Sequence, residues 1–265
     1  QQGIAADVLR SPGTTYVSGM THDSRAVRAG QVFACLRGES FDGHAFAARA
    51  IADGAAALLV DHVLDDVDAP QLVTPDTRLA VGPAAAMAWG DPAARLSMVG
   101  VTGTNGKTTV THIVAALLEA AGLPTGIIGT LHGPRTTPEA PDLHATLAGF
   151  VDDGKTATVM EVSSHALALH RIDGTRFDVV AFTNLGHDHL DLHGSHEDYF
   201  RSKSALFTSD FAPIAVVNVD DPHGRLLADT LGARDGAGAL RGVEVGERVI
   251  ADVVVDPARH AFRWR

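Results

Sequence analysis

From Val110 to Leu118 apolar residues fall at 110, 113, 114, 117 and 118, the spacing of an amphipathic helix. Gly122 and Pro124 are placed to stop it. A strand is predicted just before it at Leu96 to Val101, with a Gly/Thr-rich loop between the two. Further strands are predicted at Ile127-Ile128, Ala157 to Val162, Val179 to Thr183 and Ile214 to Val219. Strands alternating with helices imply a mostly parallel sheet covered on both faces. Upstream, Val32 to Leu36 reads as a buried strand. Phe46, Ala50 and Ile51 lie at helical spacing with Gly54 placed to end that helix, and Ala57 to Val60 reads as the next strand. The Ala-rich stretch Ala80 to Arg95 carries Pro83 and then Gly90-Asp91-Pro92, which is turn chemistry. It predicts a boundary between a small N-terminal α/β domain, residues 1–92, and a second domain, residues 93–265. Val249 to Val255 and Arg259 to Arg265, around Asp256-Pro257, predict a β-hairpin.

Composition narrows the class. A chain of 265 residues suits two compact units, and 45% apolar with 20% charged residues is the balance of a globular protein with a core. No apolar run is long enough to cross a bilayer. Residues Gln1 to Arg10 lack the basic start and apolar stretch of a secretory signal. Cys35 is the only cysteine, so neither an internal disulfide nor a thiolate metal cluster can form, and a reducing, cytoplasmic setting is expected. Lys plus Arg is 21 against 32 for Asp plus Glu, a net charge of −11. With no basic block, the chain is a poor candidate for nucleic-acid binding, and any anion must be met by a few aimed groups.

The loop Gly103-Thr104-Asn105-Gly106-Lys107-Thr108-Thr109 joins a predicted strand to a predicted helix. In that context backbone N–H groups and the positive end of the helix dipole cradle phosphates, Lys107 reaches the β- and γ-phosphates and the Thr108 hydroxyl ligates Mg²⁺. Val101 stands where the strict pattern requires its first glycine, with Gly100 one residue further back. The domain is therefore read as P-loop ATPase-like. Glu161 ends an apolar strand, where a carboxylate faces the ligand crevice of a parallel sheet and suits Mg²⁺; capping a helix with Ser163 or Ser164 is its plainer role. Asn184 to Gly194 packs His187, Asp188, His189, Asp191 and His193 into a short loop. Taken alone this approximates the His/Asp metal site of metallo-β-lactamase-like hydrolases, missing it by one residue, Leu192. Lys203 lies on the following helix, begun by Ser195 with Asp198 in a capping-box position. By itself it reads as a surface lysine.

Together these motifs resemble the Mur ligases, the ADP-forming amide ligases of bacterial cell-wall synthesis, and among them the tripeptide-synthetase type. The resemblance runs from about Val17 to about Asp221. It rests on Thr21-His22-Asp23-Ser24-Arg25, Gly103 to Thr109, Thr136-Thr137-Pro138, Glu161-Val162-Ser163-Ser164-His165, and Asn184 to Lys203.

The resemblance implies ATP and Mg²⁺ as cofactors, with UDP-MurNAc-L-Ala-D-Glu and a diamino acid (meso-diaminopimelate or L-lysine) as substrates, joined through an acyl phosphate. It assigns Gly103 to Thr109 to the nucleotide and Lys107, His189 and Lys203 to catalysis. Thr108, Glu161, His189 and a carbamylated Lys203 are assigned to metal. It places His22, Ser24, Glu39, Ser40 and Phe41 near the uridine and diphosphate, and Thr136, Thr137, Ser163 and Arg171 at the sugar–peptide end. Arg171 offers a fork for a carboxylate. Leu169 stands where some members have an amide, and Arg135 where some have Asn. The family continues into a third, Rossmann-like domain that carries the incoming amino acid's motif. Residues 93–265 are thus expected to be an incomplete central domain, and the chain to need the missing part for ligation. Two other functions fit the residues: a non-catalytic UDP-sugar or nucleotide-binding module, and a metallohydrolase using the His187–His193 loop.

Overall fold

The structure, a computed structural model, describes residues 7–9, 15–38, 41–186, 196–232, 241–245, 254–256 and 261–263. Five strands form the first sheet: β1 (Asp7–Leu9), β2 (Met20–Thr21), β3 (Val32–Ala34), β4 (Ala57–Val60) and β5 (Gln71–Val73), in the order β1-β5-β4-β3-β2. β2 to β5 run parallel, and β1 closes the β5 edge antiparallel. Helix α1 (Ala47–Ala52) covers one face and α2 (Thr77–Ala88) the other, giving two apolar clusters. β4 is buried at all four positions, as a central parallel strand must be when both faces are covered.

Of the turn chemistry expected between 80 and 95, Gly90-Asp91-Pro92 turns the chain and Pro83 does not. α2 continues through Pro83, which removes one backbone donor from its interior. Asp76 caps its N-terminus through the amides of Arg78 and Leu79, and buried Ala80, Val81, Ala84 and Ala85 hold it on the sheet. The reversal comes at Gly90 and Asp91, both at positive φ, ahead of a 3-10 turn at Pro92–Arg95.

The second sheet is wholly parallel, in the order β11-β10-β9-β6-β8-β7. Its strands are β6 (Ser97–Thr102), β7 (Thr125–Ile128), β8 (Ala157–Glu161), β9 (Val179–Phe182), β10 (Ile214–Asn218) and β11 (Arg241–Val245). Helix α3 (Lys107–Ala120) packs on one face over Val101 and Val159. The other face is the larger core, which draws on α4 (Ala140–Asp152), α5 (Ser164–Ala168), α6 (His196–Ser204) and α7 (Pro222–Gly232). The expected stripe on α3 is rotated. Thr111 and Ala115 are the fully buried positions, with Val110, Val114 and Leu118 packed beside them, while Ile113 and Leu117 are exposed. Small residues let α3 lie close to the sheet, which moves the larger ones outward. Among the described residues of the expected hairpin, β12 (Val254–Asp256) and β13 (Ala261–Arg263) pair antiparallel.

Topology positions the site. β6 lies between β8 and β9, so the chain leaves its carboxyl end where neighbouring connections diverge, the crevice in which open parallel sheets bind ligands.

Candidate functional site

The loop after β6 is built on two glycines at positive φ. Gly103 has φ +145°, and a Cβ there would meet Thr183 Oγ1; Gly106, at φ +84°, caps α3. The loop is tied to the end of β9. Asn184 Oδ1 accepts the Asn105 amide at 2.9 Å, Asn184 O accepts the Thr104 amide at 2.9 Å, and Thr183 Oγ1 donates to Asn105 O at 2.7 Å. Thr104 Oγ1 accepts the Gly186 amide at 2.8 Å and lies 3.0 Å from the Tyr199 hydroxyl. Thr109 is exposed on the first turn of α3.

Two lysines converge on this loop. Lys107 Nζ donates to Gly103 O at 2.8 Å and Thr104 O at 2.9 Å, and Lys203 Nζ donates to the same Gly103 O at 3.0 Å. Lys203 is no surface lysine: it is 1% exposed, and its ammonium lies 4.5 Å from the centre of the Tyr199 ring. Burial, and then the charge of Lys107, lower its pKa to about 7.

Glu161 ends β8 and is buried. Thr108 Oγ1 lies 3.0 Å from both its carboxylate oxygens, and Thr130 donates to Oε1 from its amide at 2.9 Å. A Cβ on Gly129 would collide with this carboxylate, so the glycine admits it. Hydroxyl and carboxylate oxygens are the hard donors that Mg²⁺ takes, so Thr108 and Glu161 fit that ion. Among the described residues, Lys203 hydrogen-bonds the Gly103 carbonyl rather than this pair. The helix-capping role falls to Ser163, whose Oγ accepts the Ala166 amide at 3.1 Å.

Thr137 Oγ1 donates to Glu161 O at 2.9 Å and accepts the Ser163 amide at 3.0 Å, joining two of the expected substrate segments. Thr136 Oγ1 is 2.9 Å from Thr130 Oγ1. Arg171 is buried beside Glu139, its Nε 2.8 Å from Oε1 as an ion pair, the N–H being turned off the oxygen. His22, just after β2, has Nδ1 3.9 Å from Asp142 Oδ1 on α4, the helix that follows Glu139, so the structure brings it to the Arg171 end. Ser24 is half-buried in the following turn. Phe41 is exposed at the tip of a loop closed by the Arg37–Asp42 bridge. Glu39 and Ser40 lie outside the described residues, as do His187, Asp188, His189, Asp191, His193 and Ser195.

Sequence reasoning missed Thr130, Glu139 and Arg78 as members of the site. A signal existed for two of them: Thr130 follows a strand end, and Glu139 directly follows Thr136-Thr137-Pro138. One further cluster, His44, Asp61 and His62, has metal-ligand chemistry. Its donors are already engaged: Arg37 Nε holds Asp61 at 2.8 Å, and His44 Nε2 accepts the Asp61 amide at 3.3 Å.

Comparisons with known proteins show the family. The family description "Mur ligase middle domain" matches residues 101–239, and "Mur ligase family, catalytic domain" matches residues 16–86. The UDP-N-acetylmuramoyl-L-alanyl-D-glutamate–2,6-diaminopimelate ligase of Geobacter sulfurreducens is 43% identical over 84% of this chain and 47% of its own length. The enzyme of the same name from Streptomyces coelicolor is 43% identical over 86% of this chain and 47% of its own. A solved structure bearing that name superposes with a TM-score of 0.73 at 29% identity, over 86% of this chain and 48% of the other. The chain spans about half the length of the curated relatives it matches. Since the match to the middle domain alone takes in more than half the residues, and runs through the phosphate loop, Glu161 and Lys203, the chain belongs to the Mur ligase family.

Proposed function

We propose that this chain is the UDP-sugar- and ATP-binding part of a ligase that joins a diamino acid to UDP-MurNAc-L-Ala-D-Glu in the cytoplasm. The reaction belongs to peptidoglycan precursor synthesis and, through it, to cell shape and division. Residues 1–92 hold the UDP end of the substrate and residues 93–265 hold ATP. The observation that carries the reading is the convergence of Lys107 and Lys203 on Gly103, at the start of the helix whose Thr108 meets Glu161. The names of relatives more than 40% identical support the substrate class.

In the reaction, an oxygen of the D-Glu side-chain carboxylate attacks the γ-phosphorus of ATP and the bond to ADP breaks. The amine then attacks the acyl carbon, phosphate leaves and the amine sheds a proton. Such phosphoryl transfer needs alignment and charge neutralisation more than covalent help. The loop amides and Lys107 provide both around the phosphates. Thr108 and Glu161 would hold Mg²⁺, which neutralises phosphate charge when bound, with His189 and a carbamylated Lys203 assigned to a second ion. Thr137 and Ser163 orient the sugar–peptide end, and Arg171 meets a carboxylate there. Calorimetry on this chain tests the core of the reading. MgATP binds the wild type, and Lys107→Ala weakens it by at least about tenfold, the scale of a lost charge-assisted contact. Equal affinities would remove the phosphate-loop assignment.

A further inference from the structure

Glu139 carries more than one ion pair. The residue is 6% exposed and flanks the N-terminus of α4. Arg171 Nε approaches Oε1 at 2.8 Å, Arg78 Nη1 approaches Oε2 at 2.6 Å, and Arg135 Nη1 lies 3.7 Å from Oε1. One carboxylate therefore faces three guanidiniums, and the cluster keeps two positive charges in excess. Such a cluster is stable only if those charges are screened or matched by an anion. Arg78 comes from α2, on the first sheet, whereas Arg135, Glu139 and Arg171 belong to the second unit, so the carboxylate ties the two together. Arg171 also donates from Nη1 to the Thr137 carbonyl at 3.5 Å. The ion pair at Nε and the contact at Nη1 together hold the guanidinium in place.

We infer that Glu139 is a positioning residue: it orients the Arg171 guanidinium for an anionic group of the sugar–peptide substrate, braced by Arg78 from the first sheet. The inference rests on the proposed substrate role of Arg171. It runs against the simplest electrostatic expectation. A carboxylate beside an anion site repels the incoming anion, so its neutralisation alone raises the cluster's charge from two in excess to three and tightens binding. A carboxylate that holds the binding arginine in place does the opposite when it is removed. The sign of the effect separates the two.

The test is calorimetric titration of this chain with UDP-MurNAc-L-Ala-D-Glu, using wild type, Glu139→Gln, Glu139→Asp and Arg171→Ala. Nitrogen-15 NMR of the Arg171 Nε–H is recorded without substrate, its signal identified by loss in Arg171→Ala. Glu139→Gln is expected to weaken binding by about tenfold or more, as for a lost bond to a charged group, with Glu139→Asp recovering most of it. The Arg171 Nε signal is expected to be sharp and at one position in wild type and Glu139→Asp, and broadened or shifted in Glu139→Gln as the guanidinium loses its fixed place. Unchanged or tighter binding by Glu139→Gln, or an unchanged Arg171 signal, would overturn the inference. If Arg171→Ala binds as well as wild type, or wild type does not bind, the substrate role of Arg171 fails instead, and the NMR signal still decides whether Glu139 holds the arginine.

Discussion

At the scale of single residues, the site is governed by where charge is buried. An unperturbed lysine with pKa about 10.4 is almost wholly protonated at neutral pH. Lys203 has lost most of that preference because burial removes water from its ammonium and Lys107 shares the Gly103 carbonyl with it. With its pKa near 7, the amine is mostly neutral at pH 8 and open to attack on carbon dioxide. Carbon-13 NMR of the chain in labelled bicarbonate with Mg²⁺ at pH 8 to 9 is expected to show a carbamate signal that Lys203→Arg abolishes. A spectrum identical in the two proteins would take Lys203 out of the metal assignment. Cys35 shows the opposite case. It is buried, and burial raises its thiol pKa to about 12, so it is an inert packing residue.

At the scale of elements, the decisive contact is α2 against the turn that follows α5. A Cβ on Gly82 would sit 2.2 Å from Asp173 O, and one on Gly174 would sit 2.7 Å from Gly82 O. The two backbones meet without side chains between them, which lets Arg78, one turn earlier on α2, reach Glu139. Helix propensity alone predicts that Gly82→Ala stabilises the chain by up to about 1 kcal/mol. The contact predicts the reverse, a loss of about 1–3 kcal/mol as the helix is pushed off the turn. Urea denaturation of the two proteins reads the sign, and an unchanged or higher midpoint in Gly82→Ala would show that the approach is looser than described.

Across the whole molecule, buried titratable groups make stability depend on pH. His144 on α4 is fully buried, and burial pushes its pKa down to about 4. In the unfolded chain the ordinary value of about 6.5 applies, so below that pH the unfolded state binds the proton and the folded state does not. Stability is therefore lost as pH falls from about 6.5 to about 4, by about 3 kcal/mol in all. Glu139 and Asp23, whose pKa values their arginines hold below the ordinary carboxylate range, lose their own contributions at lower pH still, Asp23 as pH falls from about 3.8 to about 2. Comparison with His144→Leu isolates the histidine: the stability difference between the two proteins should be constant above pH 7 and shift in the variant's favour towards pH 4. A difference that does not change with pH would mean that His144 takes up its proton as readily in the folded chain as in the unfolded one.

Strand–helix alternation, the phosphate loop between β6 and α3, and the carboxylate at the end of β8 are properties of neighbouring residues. Periodicity and glycine placement therefore announced them before any contact was known. The hairpin near Asp256 followed for the same reason. What the sequence left open depends on residues far apart in the chain. Lys203 is buried only because its helix is laid beside a loop 100 positions earlier, and Glu139 gathers Arg78 from 61 positions away. The orientation of α3 also belongs to this class, since Ile113 and Leu117 are as apolar as any core residue and only the close seat on Thr111 and Ala115 leaves them outside. Local patterns fix which elements form, because they reflect backbone geometry. Which charges lose their water, and which arginine a carboxylate holds, is fixed only when the two sheets and their helices pack together.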